Sequence, residues 1–134
     1  MVNQIIYIID IVLLVILLGF VVNWAWNKIQ EKRYGGNLTN EQFKAGMRKA
    51  QIIDVRESAE FKKKHIDGAR NIPSTMFKYQ YSEIRPALPV YIYSDSKAIT
   101  LRAVKVLKKH DYPKVFWLTD GFEKWDGRTK VSKY

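Results

Sequence analysis

The segment with the greatest chemical potential is Ser94-Asp95-Ser96-Lys97-Ala98-Ile99-Thr100, where three hydroxyls, a carboxylate and an ammonium fall within seven residues. A serine in such a run becomes a nucleophile only when a general base lies within hydrogen-bond reach and a third group orients that base. The chain has two histidines, His65 and His110, both distant from Ser94 in sequence. His110 closes a helical pattern, where a partial positive charge meets the helix dipole favourably, and His65 belongs to a turn. A serine hydrolase is therefore disfavoured. Asp54 and Arg56 stand together at the end of an apolar run and read as an ion pair that shapes the loops. The two separated histidines and the scattered carboxylates show no metal-ligand spacing, so neither a metal nor a cofactor is expected. The cysteine count is zero, which excludes disulfides, thiolate metal sites and every mechanism using the chain's own sulfur as nucleophile.

These residues need elements to hold them. Thr39 with Gln42 three residues on has the form of a capping box and predicts a helix over Asn40–Lys49. Gln51–Val55 is strand-like, and Ser58 is suited to cap a helix running through Lys64. Ala69–Ile72 is a short extended run closed by Pro73. Pro89–Tyr93, rich in β-branched and aromatic residues, is the clearest strand, and Ser96–His110, with Ile99, Ala103, Val106 and Leu107 at helical spacing, the clearest helix. Lys114–Leu118 predicts another strand and Gly121–Trp125 a last short helix. Strands separated by helices imply an α/β fold with a mainly parallel sheet flanked by helices. Ligands in such sheets sit beyond the strand C-termini, here the turn after Tyr93.

The order of these residues resembles the rhodanese-like domains. Ile52-Ile-Asp-Val-Arg56-Glu57, then Glu60-Phe61 and His65-Ile-Asp-Gly68-Ala69-Arg-Asn-Ile-Pro73, is similar to that family's opening signature. Val90–Tyr93 resembles its central strand, Thr100–Tyr112 the helix after its active-site loop, and Val115–Trp125, with Gly121 and Trp125, its terminal strand and turn. The resemblance covers residues 38–128. It implies structural roles for Asp54, Arg56, His65, Gly68, Gly121 and Trp125. It also implies a loop of backbone N–H groups around a cysteine thiolate that accepts sulfane sulfur as a persulfide. In this chain that cysteine position falls on Ser94, the usual loop glycine on Lys97 and the usual arginine on Ile99. A hydroxyl is almost wholly protonated near neutrality, whereas an ordinary thiol of pKa about 8.5 is a few per cent thiolate. Oxygen also cannot hold a persulfide. The reading is thus a degenerate domain whose loop, residues 94–100, serves binding or scaffolding for a protein or small anion, with a sulfurtransferase enzyme as the disfavoured alternative.

The composition divides near residue 27. Residues 1–26 read as one transmembrane anchor, 27–37 as a basic juxtamembrane linker made of a short helix extension and then a flexible joint at Gly35-Gly36, 38–128 as the domain and 129–134 as a tail. Ile5–Val22 carries a single charge, Asp10, and continued through Trp26 it forms a helix of roughly 33 Å, enough for the hydrocarbon core. Met1–Gln4 has no basic side chain and bulky Trp24 and Trp26 stand where a signal peptide would be cleaved, so an uncleaved anchor is expected. Lys28, Lys32 and Arg33 follow the span and no basic residue precedes it, which places the N-terminus outside and the domain in the cytoplasm of a cell, most simply a bacterial one. Trp24 and Trp26 suit the inner headgroup interface. Asp10 lies roughly 8 Å past Ile5, within reach of water or of a second transmembrane helix. The 107 residues from Lys28 onward carry 23 basic and 12 acidic side chains, a net of +11. The lipid bilayer is the expected partner of this charge and of the Lys62-Lys63-Lys64 run. No recognition motif for nucleic acid is present, and none is expected to bind.

Overall fold

The computed structural model describes the backbone of residues 1–34 and 36–132, and the side chains of all of these except 30–34. The side chains of Lys32 and Arg33, Gly35 of the expected joint and residues 133–134 of the expected tail lie outside the described residues. The chain divides into two compact units, Met1–Tyr34 and Gly35–Tyr134.

The first unit is one helix, α1 (Val2–Tyr34). It continues past Trp26 through Tyr34, the short helix extension expected at the start of the linker, because Asn27–Tyr34 contains neither Gly nor Pro to end it. Its apolar stretch, Val2–Ile29, is 28 residues long and exposed along its length. At about 1.5 Å per residue it reaches roughly 42 Å, beyond the ~30 Å of a hydrocarbon core. Trp24 and Trp26 are exposed, with the Lys28 ammonium 5.2 Å from the Trp24 ring centroid.

The second unit is built on a five-stranded sheet in the order β1 (Asn37–Leu38), β6 (Val115–Leu118), β5 (Val90–Tyr93), β2 (Gln51–Asp54), β4 (Arg70–Asn71), with every neighbouring pair parallel. A second, two-stranded ribbon pairs β3 (His65–Ile66) antiparallel with β7 (Thr129–Lys130), residues the sequence placed in a tail. Gly36, half of the expected joint, is buried, and its carbonyl accepts the Trp117 N–H at 2.9 Å.

Alternation along the strands sends side chains to two faces. On one, Tyr93, Ile52 and Leu118 form a core with Ile66 and with Phe43 of α2 (Asn40–Gly46), and Trp125 meets the Phe43 ring edge-on at 5.2 Å. The opposite parity, Ile53, Ile92 and Trp117, belongs to the face covered by α5 (Lys97–Lys109), which packs on β5 and β6 through Leu101, Val104 and Leu107. The capping box at α2 forms as expected: the Gln42 N–H reaches Thr39 Oγ1 at 3.3 Å and the Thr39 N–H reaches Gln42 Oε1 at 2.9 Å. A 3-10 turn, Met47–Lys49, completes the helix expected over residues 40–49.

One cap differs. Ser58 is not the N-cap of α3 (Ser58–Lys63) but its first residue, since Glu57 takes the extended cap conformation and its side chain makes no capping bond. The stretch between β4 and β5 holds a short helix without a sequence signature, α4 (Phe77–Gln80), followed by a 3-10 turn, Tyr81–Glu83. The Tyr112 hydroxyl ties this region to the end of α5 by donating to the carbonyl of Ile84 at 2.6 Å, and it also lies 3.0 Å from that of Tyr81.

Candidate functional site

The pairing register places Asp54 beside Tyr93 and Ile92 beside Trp117, so three parallel strands end at one level and the loops after β2, β5 and β6 meet there. Ser94 leaves β5 and is 2% exposed. Its hydroxyl lies 2.8 Å from the Ser96 carbonyl, 2.8 Å from Thr100 Oγ1 and 3.0 Å from the Ser96 N–H. A hydroxyl has one donor and two acceptor positions. One arrangement fills all three: Ser94 donates to the Ser96 carbonyl and accepts from the Ser96 N–H and the Thr100 hydroxyl. Ser96 caps α5 by accepting the Ile99 N–H at 3.4 Å. The carbonyl of Ser94 accepts the Phe122 N–H at 3.0 Å, which ties the loop after β5 to the one after β6. Gly121 makes this approach possible. Its φ is +76°, and a Cβ there would stand 3.1 Å from the Ser94 carbonyl oxygen.

A cleft of about 270 Å³ opens over the loop, lined by Ser94, Asp95, Lys97 and Thr100 on one side and Leu118–Gly121 on the other. Ala98 and Ile99, also part of the expected loop, lie in the first turn of α5 and do not line the cleft. The wall formed by Leu118, Thr119 and Asp120 was not foreseen; only the register of β6 against β5 brings it opposite Ser94. The charged lining is two carboxylates, Asp95 and Asp120, against one ammonium, Lys97. Burial is the main influence raising the Asp95 carboxyl above the ordinary 3.8, with Asp54, Glu60 and Glu123 adding to it and Arg56 opposing.

Beneath the loop lies the pair read from sequence. Asp54 is 0% exposed. It accepts the Arg56 backbone N–H at 2.8 Å, Nε at 3.0 and 3.2 Å, and an Nη2 proton at 2.8 Å. Arg56 Nη2 also donates to the Lys64 carbonyl at 2.6 Å, and the guanidinium lies 4.1 Å from the Phe122 ring centroid. Arg56 Nη1 stands 3.9 Å from Asp95, so this one side chain touches the ends of β2 and α3 and both cleft loops. Tyr93 accepts the Ile66 N–H at 3.0 Å; burial first, and then the charge of Asp54, push its phenol far above the usual range.

Neither histidine joins the loop. His65 Nδ1 is 2.8 Å from the Phe61 carbonyl and its ring stacks on Phe61 at 3.9 Å. His110 Nδ1 is 2.8 Å from the Val106 carbonyl, with its ring 4.1 Å from Tyr81. Gly68 takes φ +88° in the turn between β3 and β4, and Trp125 Nε1 lies 3.4 Å from the Arg128 carbonyl. Ser94 is therefore a buried hydroxyl whose hydrogen-bond partners among the described residues are Ser96 and Thr100, with neither histidine beside it.

A parallel α/β sheet with a loop at a helix N-terminus beyond its central strand, held by a buried Asp-Arg pair, defines a recognisable class of domain. Residues 39–128 match the family model of the rhodanese-like domain. This chain belongs to the rhodanese-like domain family. It is similar to the uncharacterised protein YqhL of Bacillus subtilis (strain 168), 40% identical over 124 residues that make up 92% of this chain and 98% of the relative. It is also similar to the putative sulfur carrier protein YrkF of the same organism, 32% identical over 79 residues. That match takes in 59% of this chain and 43% of YrkF, so the chain spans less than half of that relative. Among solved structures, thiosulfate sulfurtransferase from Pseudomonas aeruginosa superposes with a TM-score of 0.65 at 23% identity, over 72% of this chain and 20% of that one. The fold is thus one shared with a thiosulfate sulfurtransferase, and part of the sequence is similar to a putative sulfur carrier protein, in a chain without cysteine.

Proposed function

We propose that this chain is a membrane-anchored, catalytically silent rhodanese-like module that binds a partner at the cytoplasmic face of a bacterial membrane, with its N-terminus outside. The observation that carries the reading is the closed hydrogen-bond set of Ser94: the oxygen standing where the family's sulfur would stand is shared between Ser96 and Thr100 and has no base beside it. A neutral, buried, fully partnered hydroxyl neither attacks thiosulfate nor stores sulfane sulfur. The likeness to a putative sulfur carrier brings no carrier chemistry here, because no cysteine is available to take the sulfur.

Between the two partner classes considered for the loop, the cleft favours a protein over a small anion. Asp95 and Asp120 outnumber Lys97, so a free anion meets a net negative lining. The anchor reading rests on the length and exposure of the apolar part of α1, and its orientation on the basic residues Lys28, Lys32 and Arg33 at and beyond its C-terminal end, with none before it.

Two measurements test the proposal. Thiosulfate:cyanide sulfurtransferase activity and retention of sulfur-34 are expected to be at background in wild type and equal in a Ser94→Ala variant; wild-type activity above that variant refutes silence. A membrane pull-down comparing wild type with Lys97→Glu is expected to lose its partner in the variant. Recovery of identical partners from both rejects the loop as the interface.

A further inference from the structure

Helix α5 leaves the old loop carrying five basic side chains, Lys97, Arg102, Lys105, Lys108 and Lys109, and no acidic one. Arg102, Lys105 and Lys109 follow one another at three- and four-residue spacing and are all exposed. Like charges at that spacing repel and destabilise the helix that bears them, where interleaved glutamates would support it. Lys97, in the first turn, further opposes the helix dipole. Among the described residues, Arg102, Lys105 and Lys109 have no carboxylate within ion-pair distance, nor does Lys78 on the neighbouring α4.

Between α4 and α5 runs a groove of about 350 Å³ lined by Phe77 and Lys78 on one wall and Ile99, Arg102, Ala103 and Val106 on the other. Its floor is apolar and its rims are cationic. Ile99, which lines the groove, stands in the first turn of α5, shortly after Ser94 in the chain. A bilayer surface is broad and cannot fill a recess of this size, whereas a helical segment lays apolar anchors into a groove and keeps its polar face at the rims.

We infer that the α4–α5 groove is the docking site for an acidic amphipathic peptide segment of a protein partner. Its apolar side chains fill the space between Phe77, Ile99 and Val106, and its carboxylates meet Lys78, Arg102 and Lys105. This rests on the reading of the chain as a binding module and adds the place and the chemistry of the partner.

The test uses the full chain in neutral detergent micelles and a fluorescein-labelled peptide of roughly 14 residues, with leucines at helical i, i+3, i+4, i+7 spacing and glutamates elsewhere. Anisotropy is expected to show saturable binding. The double variant Arg102→Glu/Lys105→Glu, altered only at exposed positions, should weaken it by about tenfold or more. Arg102→Gln/Lys105→Gln should fall between, and a probe with serines for leucines should lose binding to wild type.

No binding to wild type, equal binding by the charge-reversed variant, or equal binding of the serine probe overturns the inference. So does a charge reversal that abolishes association of neutral nanodisc-held protein with phosphatidylglycerol vesicles while leaving the peptide unaffected, since the stripe is then a lipid contact. If Lys97→Glu loses the membrane partner and Arg102→Glu/Lys105→Glu keeps it, the groove is wrong and the binding module stands. Sulfurtransferase activity in the wild type removes the module reading itself, whatever the peptide does.

Discussion

Removing the carboxylate of Asp54 tests the account of what holds the site. Asp54 is fully buried and Arg56 is 8% exposed, so Asp54→Ala leaves a guanidinium inside the domain with the Lys64 carbonyl, aromatic faces and, as its remaining counter-ion, the half-exposed Asp95 carboxylate 3.9 Å away. Breaking a buried pair by deleting one partner costs about 3–5 kcal/mol, because the remaining charge stays desolvated. Against a typical domain stability of about 5–15 kcal/mol this is a large fraction. At about 4–8 °C per kcal/mol for a domain of this size, the melting temperature should fall by roughly 12 °C or more. The assay is thermal and urea denaturation of the full chain in micelles, followed by near-ultraviolet circular dichroism of the packed aromatic core. The double variant Asp54→Ala/Arg56→Met separates ion pairing from mere occupancy, since removal of the orphaned charge should return at least about 1 kcal/mol relative to Asp54→Ala. A loss below about 1 kcal/mol in the single variant, or a double variant no more stable than the single, would refute the assignment of Arg56 as the tie among these loops.

Further outcomes follow from single positions. Gly121→Ala should destabilise by about 1–3 kcal/mol, because its backbone at φ 76° and ψ 177° lies in a region essentially confined to glycine, with the Ser94 carbonyl contact added. Gly68→Ala, whose Cβ meets open space at a similar φ, should cost less in parallel melts. Thr39→Ala should lose the capping box and about 1 kcal/mol by urea denaturation. The folded-state pKa of Asp95 is raised, so its protonated form is favoured by folding and this contribution is lost as pH climbs from 3.8 through the raised value. The melting temperature of Asp95→Asn relative to wild type should therefore rise with pH across that window, and a difference that shrinks with pH contradicts the burial argument. The native chain contributes no background thiol, so Lys105→Cys is a clean reporter of sidedness. A membrane-impermeant maleimide should label it only after the cells are opened, and labelling of intact cells reverses the proposed topology.

How much of this was legible in the sequence depended on how local each feature is. The Thr39 and Gln42 box, the two aromatic, β-branched strands and the long helix after Ser96 are fixed by neighbours within a few residues, and all form. Ser58 misled because a cap is set by backbone conformation, and Glu57 takes the extended position one residue earlier. Strands β1, β3 and β7 are two residues each, too short for any alternation to register, and exist only through partners remote in sequence. Phe77–Gln80 is a single helical turn with no periodicity to detect. The site divides in the same way. The Asp54 and Arg56 pair is local, two residues apart at a strand end, whereas the wall of Leu118, Thr119 and Asp120 faces Ser94 only once the sheet is aligned.

The oxygen clasp at Ser94 has a consequence for signalling. A thiolate in that loop would give a module at least two surfaces, one empty and one loaded, and a third once an oxidant had converted it to sulfenic acid. The hydroxyl of Ser94, shared between Ser96 and Thr100, climbs no such ladder, so peroxide, disulfide stress and changes in sulfane supply leave the loop's contour as it was. Under the proposed binding role, a partner at this loop would read a surface that sulfur chemistry does not reshape, and redox switching in such a complex would have to originate in the partner.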